Sequence, residues 1–252
     1  MRCSERALSH CFFAGLLIFG HAAPGCDPRP PPTRCAPTDA SSSPQRHPLN
    51  DPANRIAQTE PGREFIRYLA DCALCAGDAT FADVEGQHYE FPGAMGLAPQ
   101  WLHRPLTEDE QRWVSACILA RTNHFGVEVQ ISLRADHNPS SPLQITDQER
   151  QEFTLHEGDF FGNLFADTPA AAVALGGATP EQRHDPVFQL RVCAVEDPNA
   201  TPIAGQKLSR CRFIMTGDAR DPEAHTLNGQ HYDQYISVYL KPQAPATRPP
   251  PP

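Results

Sequence analysis

The chain of 252 residues has 21 Lys and Arg against 30 Asp and Glu, and holds only 3 Met and 2 Trp. The shortage of positive charge leaves a net −9. That excludes a nucleic-acid partner, because no basic stripe is present to offset phosphate repulsion. Long hydrophobic runs are scarce too. The run Cys11–Phe19 is about nine residues, whereas a helix needs about 20 to cross a bilayer. No fixed-period repeat occurs, which excludes solenoids and propellers. A Gly-Xaa-Ser-Xaa-Gly elbow, a P-loop, a Rossmann glycine fingerprint and an HExxH pair are all missing. Each of these serves a tight geometric need that is hard to disguise, so none of those chemistries is read here.

Proline is what the chain has in excess, and its placement divides the molecule. Of 27 prolines, 10 lie between Pro24 and Pro61 and six between Pro242 and Pro252. Residues 62–241 keep an ordinary density and read as a single globular domain between two Pro-rich tails. Those residues hold 14 Lys and Arg against 25 Asp and Glu, a net −11. The acidic character therefore belongs to the core.

Residues 1–25 read as a signal peptide. Arg2 and Arg6 precede the apolar run, and small residues, Gly20, Ala22 and Ala23, follow it. Gly25 immediately before Cys26 resembles the lipobox of bacterial lipoproteins, in which the Cys carries lipid. Ala23 stands where that box usually has Leu, and cleavage after Ala23 is the rival reading. Lipidation of Cys26 would anchor the protein in the cell envelope; the rival would leave it secreted. Residues 26–61 have almost no large apolar side chains and are expected to be a disordered tether. A Pro-rich tether is extended, at about 3 Å per residue. Residues 242–252 are expected to be a disordered tail.

Six cysteines remain for an exported core: Cys35, Cys72, Cys75, Cys117, Cys193 and Cys211. An even count in that compartment predicts disulfides. Cys193 and Cys211 flank a turn-rich stretch and suit one bridge. Cys72 and Cys75 form a CxxC, a spacing used by redox pairs and by half zinc sites. No second close pair completes a zinc site, and no thioredoxin-like pattern surrounds it. A Cys72–Cys117 bridge is preferred, with Cys75 either paired to Cys35 or free.

The predicted fold class is β-rich α+β, a disulfide-stapled sandwich-like sheet with one well-defined helix at about 107–122. Thr107-Glu108-Asp109-Glu110 is a capping box, and its acids favour a helix N-terminus. Val127–Arg134 alternates apolar and polar over eight residues, a strand with one buried face. Phe81–Phe91 around Glu85-Gly86 reads as a hairpin. Further strands are expected at Phe153–Glu157, Asp159–Phe165, Val187–Val195, Arg210–Met215 and Tyr232–Leu240. Gly62–Ala73 is open between helix and strand, and Thr168–Gly176 reads as a short helix.

The stretches Gly96–Trp101, Trp113–Asn123, Ile131–Arg134 and Glu157–Phe165, with Gly126 and Cys72-Ala73-Leu74, resemble a group of uncharacterised exported bacterial proteins, many with lipoprotein signals. The resemblance covers roughly residues 68–215. It implies export and supports the Cys72–Cys117 pairing. That group tends to lack a cysteine at the position of Cys75.

Chemistry-bearing patterns are few. His156-Glu157-Gly158-Asp159 gathers an imidazole and two carboxylates. His156, Glu157 and Asp159 are therefore the candidate metal ligands, for Ca or Zn. On a regular strand Glu157 and Asp159 would share one face and His156 the other. Gly-Gln-His-Tyr occurs twice, at Gly86–Tyr89 and Gly229–Tyr232, so His88 and His231 are conceivable partners of His156. Asp218–Glu223 has the composition of a calcium loop without its order. Ser115 and Cys117 face different ways on a helix and read as packing, and Arg121 and Asn123 read as satisfying carbonyls at its end. The expected function is non-enzymatic: an envelope-anchored binding or structural domain with a protein or glycan partner, touching the membrane through its lipid. The alternative is an exported metal-dependent hydrolase.

Overall fold

The computed structural model describes Cys35, residues 55–203 and residues 205–243. The expected signal peptide, the lipid acceptor Cys26, most of the 26–61 tether and most of the 242–252 tail lie outside the described residues.

Folded structure starts before Gly62. A turn of 3-10 helix at Ile56–Gln58 leads into helix α1 (Glu60–Ala73). The Gly62 N–H donates to the Thr59 hydroxyl. Pro61 stands in the first turn, where its missing N–H costs nothing. The last residues assigned to the tether thus initiate the first helix. Ile66, Leu69, Ala70 and Ala73 give α1 its buried face.

Strands β1 (Ala79–Val84) and β2 (Gln87–Pro92) form the expected hairpin. Glu85 and Gly86 have φ of 52° and 83°, the left-handed pair that a two-residue type I′ turn requires.

Helix α2 (Glu108–Arg121) begins at the capping box. The Glu110 N–H donates to Thr107 Oγ1, and the Thr107 N–H donates back to the Glu110 carboxylate. Arg104 holds that carboxylate at 2.6 and 2.7 Å. Trp113 through Ala120 are all buried. A simple amphipathic stripe would leave half of them wet; here α1 covers one side of α2 and a sheet covers the other.

That sheet is built from β3 (Ile131–Arg134), β4 (Leu155–Asn163), β5 (Ala170–Leu175) and β6 (Ile214–Asp218). Helix α3 (Asp147–Glu152) precedes β4, and α4 (Pro186–Arg191) follows β5. After β6 comes a small hairpin, β7 (Thr226–Leu227) and β8 (Gln230–His231), and then β9 (Tyr235–Leu240) completes the sheet. The strand order is β3-β9-β4-β5-β6, with only the β5–β6 pair parallel. Ile236, Val238 and Leu240 of β9 join Leu133, Phe160 and Val114 in the main core, against the helices. On the opposite face Phe161, Ala172 and Ala174 pack beneath Ala224, Leu227 and Tyr232.

The mixed α+β, β-rich reading therefore holds, with the layer over one face of the sheet made of helices. Five local expectations are corrected, one being Arg210–Met215, of which only Ile214 and Met215 lie in a strand. Val187–Val195 forms no strand: Asp185 caps and Pro186 starts α4. Thr168–Gly176 forms no helix: Ala170–Leu175 is strand β5, antiparallel to β4, and the two backbones lie so close that a Cβ on Gly158 would stand 2.6 Å from the Ala174 oxygen. The two strands expected across residues 153–165 are one strand, β4. The eight-residue strand Val127–Arg134 pairs only over Ile131–Arg134.

Three disulfides staple the flanks: Cys35–Cys75, Cys72–Cys117 and Cys193–Cys211. The two cysteines of the CxxC serve different bridges, so the spacing is neither a redox pair nor a zinc half-site. Cys72–Cys117 ties α1 to α2 across 45 residues, and closing such a loop contributes about 4 kcal/mol in the chain-entropy account. Replacing both with Ala is expected to lower the melting temperature by about 8–16 °C, at about 2–4 °C per kcal/mol for a domain of this size. A melt within 3 °C of the parent, followed by near-UV circular dichroism, would show that the bridge is dispensable.

Candidate functional site

Residue Glu157 decides which side chains meet. In the β4–β9 ladder His156 lies opposite Tyr239 and Gly158 opposite Val238. Glu157 is thus the extra residue of a β-bulge, and a bulge resets the alternation of faces. Asp159 lies opposite Ser237, two residues from Tyr239, so His156 and Asp159 share a face. The regular-strand expectation is corrected on this point. A Cβ on Gly176 would stand 2.1 Å from the His156 carbonyl oxygen, so only glycine lets the end of β5 pass the bulge.

Asp159 is buried and is held from two sides. His156 Nε2 donates to its Oδ1 at 2.8 Å, and His225 Nε2 donates to its Oδ2 at 2.9 Å. His156 Nδ1 accepts the Gly177 N–H at 3.4 Å, which assigns its proton to Nε2. Burial by itself raises the carboxyl pKa of Asp159. Hydrogen bonds from His156, His225 and Ser237 overcome that and hold it well below the usual carboxylate range.

Aromatic rings extend this cluster in both directions. His225 stacks on Tyr235 with centroids 3.9 Å apart, Tyr235 on His137 at 3.6 Å, and His137 on Trp113 at 5.9 Å. His156 stacks on Tyr239 at 4.6 Å, and the Arg134 guanidinium covers the other end of that stack, 3.7 Å from the Tyr239 centroid. Burial pushes the Tyr235 phenol up to about 12, with the Asp159 carboxylate adding to the effect, and it pushes the His137 imidazole below its ordinary range. His137 Nε2 donates to the Asp233 carbonyl at 3.0 Å.

Glu157 faces the helices instead. Its carboxylate pairs with Arg191 at 2.9 Å; the two side chains are 1% and 2% exposed. Arg191 also donates to the Ala120 carbonyl at 2.8 Å, an orphan acceptor of the last turn of α2. Glu157 Oε1 is buried without a hydrogen-bond partner among the described residues.

The three candidate metal ligands therefore separate. His156 and Asp159 meet but are bonded to each other, with the second nitrogen and the second carboxylate oxygen also engaged. Glu157 lies across the sheet on Arg191. Among the described residues no group of three or more His, Cys, Asp or Glu is arranged to hold a metal ion. His88 and His231 serve hairpins: His88 meets Asp83, and His231 faces Asp233 at 3.5 Å. The second Gly-Gln-His-Tyr follows Asn228, and Asn228-Gly229, with φ of 52° and 77°, repeats the I′ turn of the first. The repeated motif is turn chemistry. Asp218 pairs with Arg220, and Asp221 caps the turn Pro222–His225.

A cleft of about 540 Å³ lies on the helical side. Glu64, Tyr68 and Asp71 of α1 form one wall. Ile118 and Arg121 close the end of α2, and Val127, Val129, Ile131 and Leu133 form the apolar wall opposite. Arg121 pairs with Asp71 and stacks over Tyr68, 5.0 Å from the ring centroid; it holds α1, where a carbonyl had been expected. Asn123 does serve a carbonyl, that of Val127, at 2.8 Å. Ser115 packs inward and accepts the Leu164 N–H. Asp71, Arg191, His137 and His225 were missed in the sequence because each meets its partner across a long stretch of chain and carries no local motif.

Neither a protein-family model, nor a curated protein, nor a solved structure matches the chain.

Two outcomes follow from these pairings. Arg191→Met is expected to cost about 3–5 kcal/mol by stranding Glu157. The double change Glu157→Gln with Arg191→Met should cost clearly less than the two single changes together. Additive losses in urea unfolding would mean that the pair is not coupled. The second outcome concerns acid. His137 and Asp159 have lower pKa in the folded protein, from ordinary values of 6.5 and 3.8. The unfolded chain therefore binds more protons, and stability falls as pH drops below about 6.5 for His137 and below about 4 for Asp159. The stability advantage of the parent over His137→Phe should shrink between pH 7 and pH 5. A constant difference would assign the acid loss to other groups.

Proposed function

We propose that the protein is an exported domain, anchored in the cell envelope by lipid on Cys26, that binds a partner without turning it over. The observation that carries this reading is the cleft between α1 and residues 123–133. Of the ionic side chains lining it, Arg121 pairs with Asp71, Glu64 with Arg67 and Arg191 with Glu157 beneath, and Glu128 stands at its rim. What the cleft offers a ligand is an apolar wall and the backbone beside it. The acid–base groups of the His156–Asp159–His225 cluster are spent on one another.

Three disulfides support an oxidising compartment, and the Arg2–Ala23 pattern supports export. Among the described residues no helix is long and apolar enough to cross a membrane. On this reading the lipid and the Pro-rich segment after it supply attachment and reach.

The expected mature N-terminus is a lipid-modified Cys26, with Cys26→Ala releasing the protein from membranes; mass spectrometry of the mature chain decides this. Binding is read by hydrogen exchange. Amides of residues 123–130 should exchange more slowly when the purified domain is mixed with isolated cell envelopes than in buffer. A mature chain starting at Pro24, or identical exchange in both conditions, would overturn the corresponding half of the reading.

A further inference from the structure

We infer that Val127–Gln130, continued by β3, is a strand-addition site for an extended cationic polypeptide. This rests on the binding-domain reading above and adds to it the class of partner.

The sequence Val127-Glu128-Val129-Gln130-Ile131-Ser132-Leu133-Arg134 has the alternation of one eight-residue strand. In the structure Val127, Val129, Ile131 and Leu133 all line the same cleft, the face that alternate side chains of a strand share, and Glu128 borders it as well. Yet only Ile131–Arg134 is paired, with Ile131 opposite Leu240. Continuing that register sets Gln130 opposite Lys241 and Val129 opposite Pro242. Pro242 has no N–H to give to a ladder, and the Gln243 N–H instead donates to Asp185 at 3.0 Å. A gap of about 360 Å³, lined by Glu128, Val129, Gln130, Pro242 and Gln243 among others, opens between the two segments. On its other side β3 is the edge of the sheet. Among the described residues no backbone hydrogen bond joins Glu128, Val129 or Gln130 to a neighbouring strand.

Apolar exposure grows along the same stretch. Leu133 is 3% exposed, Val127 43% and Phe125, just beyond, 53%. The unpaired backbone and the uncovered apolar stripe therefore coincide over about 13 Å, four residues at strand rise.

Two features identify the occupant. A row of main-chain donors and acceptors is complemented along its length by another polypeptide backbone, whereas a lipid chain leaves it unpaired. The charge left over is negative. Asp71 is balanced by Arg121, Glu64 by Arg67, Arg191 by Glu157 and Lys241, which borders the gap, by Glu152, which leaves Glu128 on a chain of net −9. A second copy would bring the same −9 and would set like charges across a two-fold strand pair, which is unfavourable. The partner that fits is an extended segment alternating apolar and basic residues.

The test uses the purified domain with its disulfides intact and fluorescence anisotropy of three labelled octapeptides. One alternates Val and Lys, one alternates Val and Glu, and one is the Val/Lys peptide N-methylated at every second amide. The Val/Lys peptide should bind, and the other two at least tenfold more weakly. Glu128→Lys should reverse the preference for charge. Successive N–H groups along a strand point to opposite edges, so Glu128→Pro and Val129→Pro are made separately; at least one should abolish binding while the melting temperature stays near the parent. Equal binding of the N-methylated peptide, or no binding of Val/Lys at millimolar concentration, would overturn the inference. So would a concentration-dependent dimer that Val129→Pro dissolves, since a second copy would then own the edge. If envelope-dependent protection of residues 123–130 persists while the peptides fail, the binding reading survives and only the partner class falls.

Discussion

Burying an arginine and a glutamate together costs several kcal/mol of desolvation per ion, and their attraction offsets this only with good geometry and further hydrogen bonds. The Glu157–Arg191 pair sets that requirement at the centre of the molecule. Arg191 meets it by serving Glu157 and the Ala120 carbonyl together, which joins α4, α2 and β4 at one guanidinium. Glu157 reaches Arg191 by leaving the register of β4, with its Oε2 engaged and its Oε1 unpartnered among the described residues. Without the bulge, Glu157 and Asp159 would point the same way, and two carboxylates would face one arginine. With it, Asp159 moves to the far face and finds His156, His225 and Ser237. One inserted residue thus produces both the charged contact under the helices and the polar cluster on the opposite side of the sheet.

The disulfides act where that network does not reach. No bridge involves a strand of the central sheet, which is held by its ladders and by apolar burial on both faces. Cys35–Cys75 and Cys72–Cys117 both act at the C-terminal end of α1. Cys193–Cys211 closes the irregular excursion between α4 and β6. Covalent closure contributes most where a segment has long loops and little surface to bury. Beside the cleft, α1 is tied to α2 by the Cys72–Cys117 bridge and by the Arg121–Asp71 pair.

Local signals were legible in the sequence where backbone chemistry is local. The capping box of α2 and the Glu85-Gly86 turn need only neighbours in the chain, and both appear as read. Tertiary context overrode propensity elsewhere. Ala170–Leu175 has helical composition but becomes β5, paired with β4 on one side and β6 on the other. Val187–Val195 has strand composition, yet the Asp185-Pro186 start signal prevails. The site was half legible. His156 and Asp159 stood out as a cluster, but the bulge that brings them together has no signature beyond Gly158. His225 and His137 arrive from distant segments, and nothing near them in the chain announces the stack.

Proline governs the edge beside β3. Natural sheets protect their edges with charge, bulges or proline on the exposed strand itself. Here Pro242 lies on the neighbour, just past β9, so it ends the ladder without protecting Val127–Gln130. The exposed segment carries only Glu128 and Gln130 as polar guards, and the protection it has is electrostatic. A net charge of −9 keeps acidic copies apart at the ranges over which charges act, about 8–10 Å at physiological salt. The same field draws in a basic chain. An edge shielded by charge and not by proline is therefore selective: closed to its own copies, open to a partner of opposite sign.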